Sequence, residues 1–223
     1  MKRKATYFVC GIFLGLLAVP ALAQGGEPEQ DFKAFPVTFT GTSGHTQFNI
    51  AGGGSYTCTS DHVSGTKSNK TTKTIKVKLT GCMSTEFFGA SCSSPGQASG
   101  VVETGVMVAH NVYLTDSKTT PGILLTPPTG GVFAEFTCGA FVTVRITGNG
   151  LIGHMSSPKC GETSKTMTLG FGATGPSQTF KQVTATGTSF RLQGSVNGGS
   201  SVEAAFVSTE SLTYAESGTL TCV

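Results

Sequence analysis

The chain has 223 residues, of which 38% are hydrophobic and 12% charged, with 31 glycines and no tryptophan. That is too apolar for a disordered tail, and the length suits one all-β domain. The formal charge of +3 vanishes once Lys2, Arg3 and Lys4 are set aside, because the remaining bases then equal the 12 acids. This excludes a generally basic nucleic-acid binder, whose affinity comes from phosphate neutralisation.

Read in chain order, Met1-Lys2-Arg3-Lys4 is a basic start, Tyr7–Val19 an apolar core, and Ala21-Leu22-Ala23 the small-residue site that a signal peptidase cuts. The apolar run is shorter than the roughly 20 residues needed to span a bilayer, and Pro20 ends it, so residues 1–23 read as a cleaved secretory signal that leaves no transmembrane anchor. A polar, flexible lead-in is expected over 24–35. From residue 36 to 223 the sequence reads as one all-β domain. Val37 and Phe39 alternate with threonines, and Ile75, Val77 and Leu79 with Lys76 and Lys78. Met167, Leu169 and Phe171 alternate with Thr166, Thr168 and Gly170. Each such run is a half-buried strand. Val106, Val108, Val112 and Leu114 share one parity and are expected to face inward. The stretch Val132–Ile146 is the longest alternating run. Turn signals separate the runs, among them Gly52-Gly53-Gly54, Pro121-Gly122 and Gly148-Asn149-Gly150. The pattern predicts an antiparallel β-sandwich or a partly open β-barrel.

Signal cleavage removes Cys10 and leaves Cys58, Cys82, Cys92, Cys138, Cys160 and Cys222. An even number in an exported chain points to disulfides, and six cysteines allow about 15 connectivities. Cys82 with Cys92, flanking a short loop, is the first expectation. A three-residue hairpin at Gly148-Asn149-Gly150 would also set Cys138 opposite Cys160. No Cys-x-x-Cys pair suggests zinc.

Several segments carry a resemblance: Phe39-Thr40-Gly41-Thr42-Ser43-Gly44, Tyr56-Thr57-Cys58, Leu79-Thr80-Gly81-Cys82, Phe133-Ala134-Glu135-Phe136-Thr137-Cys138-Gly139 and Gly150-Leu151-Ile152-Gly153. Over roughly residues 36–185 the chain resembles an uncharacterised family of secreted, Gly/Thr-rich all-β proteins of soil bacteria. The resemblance implies an exported all-β architecture and no particular activity.

Chemistry-bearing motifs are sparse. Gly170-Phe171-Gly172-Ala173-Thr174-Gly175 has the letters of a dinucleotide loop, but Pro176 and the β-like sequence after it offer no helix to hold a pyrophosphate, so it reads as a turn. No Gly-x-Ser-x-Gly elbow occurs. His45 and His62 would form an acid/base or metal site only by meeting near Asp61, and His110 reads as packed in or beside the core. The acids, Glu135 and Glu210 among them, form no local pair of the kind glycosidases use. Phe87-Phe88, between two cysteines, is the one aromatic pair with the look of a binding platform. Its bland alternative is a loop folded onto the core.

Lys67, Lys70, Lys73, Lys76 and Lys78 form a basic stripe. It is expected in water beside a strand, either guarding a sheet edge or binding an anionic envelope polymer. Taken together, the sequence predicts a secreted, non-enzymatic surface or binding protein without cofactor, whose partner is a cell-envelope glycan or protein. The alternatives are a hydrolase whose site assembles only in three dimensions, and a self-assembling coat or fimbrial subunit. Processing is directly testable: intact-mass measurement of the exported product is expected to place its first residue at Gln24, and residues retained before it would contradict the cleavage site.

Overall fold

The structure is a computed structural model that describes residues 26–128, 131–183 and 187–222. The signal segment, Cys10 and the first two residues of the lead-in lie outside the described residues. In chain order the strands begin with β1 (Glu29–Asp31), β2 (Val37–Ser43), β3 (Thr46–Ile50), β4 (Gly54–Cys58), β5 (Ser60–Lys67) and β6 (Thr72–Thr80). There follow β7 (Met83–Ser84), β8 (Cys92–Ser93), β9 (Val102–Glu103), β10 (Met107–Tyr113), β11 (Pro121–Thr126) and β12 (Val132–Cys138). The last are β13 (Val142–Gly148), β14 (Leu151–Ser157), β15 (Thr163–Phe171), β16 (Ala173–Thr174), β17 (Ser177–Gln178), β18 (Leu192–Val196) and β19 (Val202–Thr221).

The fold is all-β and antiparallel, and its barrel is closed. Hydrogen bonding runs β2, β5, β6, β10, β11, β14, β15, β19 and back to β2. A second circuit runs β3, β4, β7, β8, β12, β13, β18, β19 and back to β3. Its β7 to β8 step rests on the isolated bridge Met83↔Ser91. The two rings share β19, whose first residues pair with β18 and β3 and whose later ones pair with β15 and β2.

Alternation fills both interiors. Val37 and Phe39, then Ile75, Val77 and Leu79, then Met167, Leu169 and Phe171 are all buried in one core that also takes in Phe48, Phe136 and Phe206 of the second ring. Phe206 stacks obliquely on Phe48 at 5.0 Å and on Phe171 at 5.8 Å between ring centroids, so aromatic contacts stitch the rings together. Such pairs add about 0.5–1.5 kcal/mol each beyond burial.

Several expectations are corrected. On β10 the barrel-facing parity is Met107, Ala109 and Asn111, whereas Val106 is exposed. Val112 points outward and is buried there with Leu124, Ile152 and Val183 against Phe180 and Phe190. A strand covered on both faces has no polar side, so parity read from its valines misleads. Val132–Ile146 is two strands, with Cys138 opposite Val142 and a turn at Gly139–Phe141. The segment Gly148-Asn149-Gly150 is a corner rather than a hairpin, because β13 pairs with β12 and β18 while β14 pairs with β11 and β15. Part of the lead-in is tied down: Gln30 is fully buried, and β1 pairs with the end of β19.

The disulfides are Cys58–Cys82, Cys92–Cys138 and Cys160–Cys222. Neither Cys82–Cys92 nor Cys138–Cys160 forms, and register is the reason. The β4–β7 pairing, continued by one step, sets Cys58 against Cys82, and β8 sets Cys92 directly opposite Cys138.

Two inward glycines make room for rings. A Cβ on Gly65 would lie 2.3 Å from Phe39 Cζ and 2.2 Å from the Thr74 carbonyl oxygen, and one on Gly153 would lie 2.6 Å from the Phe171 ring. Gly65→Ala is therefore expected to cost about 1–3 kcal/mol in chemical denaturation. Gly170→Ala, which meets nothing within 4 Å, should change stability by less than about 0.5 kcal/mol. Equal effects of the two substitutions would contradict this packing.

Candidate functional site

Three places stand out: the two ends of the barrel interior, where buried charges collect, and the loops at the far end of the second ring, where aromatic side chains are exposed.

At the junction between the rings, neighbouring strands bring two acids together. Glu210 of β19 faces Ser43 of β2, and Ser43 in turn faces Asp61 of β5. Both acids are buried. Ser43 N donates to Asp61 Oδ1 at 2.8 Å, and the Ser208 hydroxyl donates to Glu210 Oε1. Glu210 Oε2 and Asp61 Oδ2 have no hydrogen-bond partner. Burial first, and then the Asp61 charge, push the Glu210 carboxyl up to about 8. Beside it lies a cavity of about 40 Å³ bounded by Phe48, Val77, Leu125, Phe171 and Phe206. Substrate pockets are commonly of order 300–1,000 Å³, so this void holds no sugar or metabolite.

The opposite end of the barrel holds the corresponding pair of bases. Lys67 and Lys73 face each other across β5 and β6, and both are fully buried. Lys73 Nζ donates to Tyr214 Oη at 3.2 Å and lies 3.6 Å from Met167 Sδ, while Lys67 Nζ has no hydrogen-bond partner. Burial lowers the Lys67 amine to about 7, against the pull of Asp31. Burial, and then Lys67 itself, hold Lys73 well below the ordinary range. Burial raises the Tyr214 phenol, opposed by Gln30 of β1.

The basic stripe therefore divides. Lys67 and Lys73 are interior, because they share parity with Val63 and Ile75. Lys70 is paired with Asp31 at 2.7 Å and Glu29 at 3.1 Å, and Lys76 with Glu103 at 2.9 Å. Only Lys78 of the five is exposed without an ion pair among the described residues. The edge-guarding role lapses as well, since β6 is paired with β5, β10 and β9. His62 points outward while its neighbour Asp61 points inward, and His45 is exposed, so the proposed meeting does not occur. Burial lowers His110, which sits half-buried with its Nδ1 3.5 Å from Thr72 Oγ1. Glu135 lies on the outer face beside Arg145 at 3.5 Å. Among the described residues no three His, Cys, Asp or Glu side chains cluster as a metal site would require.

The third place is the far end of the second ring. There the β7–β8 loop and the β12–β13 turn lie side by side: Gly139 N donates to Ser91 O at 2.9 Å, and Cys92–Cys138 joins their bases. Phe88 is 107% exposed and Phe141 87%, with Phe87 and Met83 partly exposed beside them. The loop is ordered by its own bonds, since Ser84 Oγ accepts from Glu86 N and Phe87 N, and Ala90 N donates to Phe87 O. Phe88 adopts φ 53°, a left-handed conformation that a bulky aromatic residue rarely takes. Phe87-Phe88 was legible as a candidate from its sequence. Phe141 was not, because it lay hidden inside an apparently continuous strand.

The two buried pairs carry opposite pH signatures. A carboxyl raised in the folded state contributes stability below the ordinary carboxyl range that is lost as pH rises through about 8. An amine lowered in the folded state contributes stability above the ordinary lysine range that is lost as pH falls through about 7. Set against the wild type, Glu210→Gln is therefore expected to gain in relative thermal midpoint as pH rises toward about 8, and Lys67→Met to gain as pH falls toward about 7. Differences from the wild type that do not change with pH in either variant would contradict the assignment.

No protein-family model, curated protein or solved structure matches the chain.

Proposed function

We propose that this is an exported, non-enzymatic binding protein of the cell envelope, and that it makes contact through the loops carrying Phe88 and Phe141. One observation carries the reading: two aromatic side chains stand almost wholly in water on disulfide-anchored loops, one of them in a strained backbone conformation. Exposed apolar clusters on otherwise polar surfaces mark interaction sites, and strain retained in a loop favours a functional reason for it. The enzymatic alternative needs a cleft that holds its acids. Asp61 and Glu210 do meet, but within the core beside a void too small for a substrate. Two open surface depressions of about 410 Å³ each are lined without any acid or histidine. A coat subunit would be favoured by an open sheet edge, and the barrel strands are paired on both sides.

The test is retention of purified, oxidised protein on isolated bacterial envelopes. Phe88→Ser with Phe141→Ser is expected to reduce retention at least about tenfold, the loss of two apolar anchors. The thermal midpoint should hold, because neither ring packs in the core. Undiminished retention, or retention lost instead in Lys78→Gln, would refute the reading.

A further inference from the structure

We infer that the aromatic end docks on a lipid bilayer with uncharged or zwitterionic headgroups, the Phe88 and Phe141 rings entering its interfacial zone. The inference rests on the reading of that end as the contact surface, and it names the partner.

Charge is the first argument. Four connections meet at the far end of the second ring. These are the turn after β3, the β7–β8 loop, the β12–β13 turn and the β18–β19 turn, as the terminal pairs Ile50↔Gly54, Cys138↔Val142 and Gly194↔Val202 show. Through residues 50–54, 83–91, 138–142 and 196–202 the only charged side chain is Glu86; the rest are Gly, Ala, Ser, Thr, Asn, Cys and apolar residues. Such a surface can leave water without stripping ions of their hydration. It offers no Lys or Arg to an anionic headgroup or polymer, and Glu86 would repel one. The basic side chains Lys70, Lys76 and Lys78 belong to the loop and strand of the other ring.

Ring isolation is the second argument. At 107% and 87% exposure, Phe88 and Phe141 cover neither each other nor the surface beneath them. A rigid partner would need a separate socket for each ring, whereas a fluid interface closes around both. Area agrees. With a fully exposed aromatic residue offering ~200 Å², the four exposed apolar residues present roughly 500 Å², below the ~800 Å² per partner of a stable protein interface. Partition into lipid has no such threshold and grows with each ring inserted. Finally, the rings are held in place beforehand by the Ser84 hydroxyl, the Phe87–Ala90 turn and the Cys92–Cys138 bridge, so little ordering entropy is lost on docking.

The absence of tryptophan gives a direct assay. Phe88→Trp creates a single reporter at the proposed contact, in an oxidised chain whose fold is checked by an unchanged thermal midpoint. On adding phosphatidylcholine vesicles its emission is expected to shift to the blue, with flotation of the protein and no sensitivity to salt. Phe141→Ser in that background should weaken partition about ten- to hundredfold. Three results would overturn the inference. One is no shift on vesicles while envelope retention still depends on Phe88 and Phe141, which keeps the contact surface and makes its partner a glycan or protein. Another is a blue shift that grows with protein concentration alone and sediments as a dimer, which makes a second copy the partner. The third is binding confined to phosphatidylglycerol vesicles and reversed by salt, which makes the attraction electrostatic. If envelope retention is also indifferent to both rings, the contact-surface reading fails with the inference.

Discussion

The strand Val202–Thr221 is hydrogen-bonded into two rings at once, and the rest of the molecule is arranged around that sharing. Its alternation must serve two interiors in succession, with Ala204 and Phe206 filling the second ring and Leu212 and Tyr214 the barrel. Where the strand passes from one ring to the other, its inward residues are Ser208 and Glu210, and polar atoms meet an interior that offers few partners. Asp61 lies beyond Ser43 on the next strand and adds a second buried carboxyl there. The acid pair is thus a product of the crossover, placed where neither ring alone completes an apolar layer.

Ring closure also explains why lysines are found inside. An open sheet can turn a basic residue of the wrong parity toward solvent at its margin. A closed barrel offers only its two mouths, and β1 covers the one nearest Lys67 and Lys73. The amines then lose their charge more readily than they find water, with the Tyr214 hydroxyl taking one hydrogen bond and Asp31 and Glu29 engaging Lys70 outside. The barrel interior is accordingly apolar through its middle and ionisable at both ends.

Much of this was legible from alternation alone. The strands around Val37, Ile75 and Met167, the all-β class and the six bonded cysteines follow from period and parity count. The interior charges were legible too, by a stricter use of the same rule: Lys73 has the parity of Ile75, Val77 and Leu79, Lys67 that of Val63, and Glu210 that of Leu212 and Tyr214. Grouping lysines by charge hid what grouping them by face reveals. Other features had no local signature. The meeting of Asp61 and Glu210 depends on the order of strands round the barrel. The inward parity of β10 was masked by outer packing on Val112, and the corner at Gly148–Gly150 could not be told from a hairpin while the partner of β13 was unknown.

The step from β7 to β8 has a consequence of its own. The barrel closes through strand pairs several residues long, but the second ring closes there through a single bridge, Met83↔Ser91. Cys58–Cys82 and Cys92–Cys138 stand on either side of that seam. Neither bridge crosses the seam: Cys58–Cys82 ties the start of β7 to β4 and Cys92–Cys138 ties β8 to β12, so the loop between them is fastened at both of its bases to neighbouring strands. Reduction would loosen both bases of the loop that carries Phe88, and the β12–β13 turn that carries Phe141, while leaving the hydrogen-bonded ladders of the barrel in place.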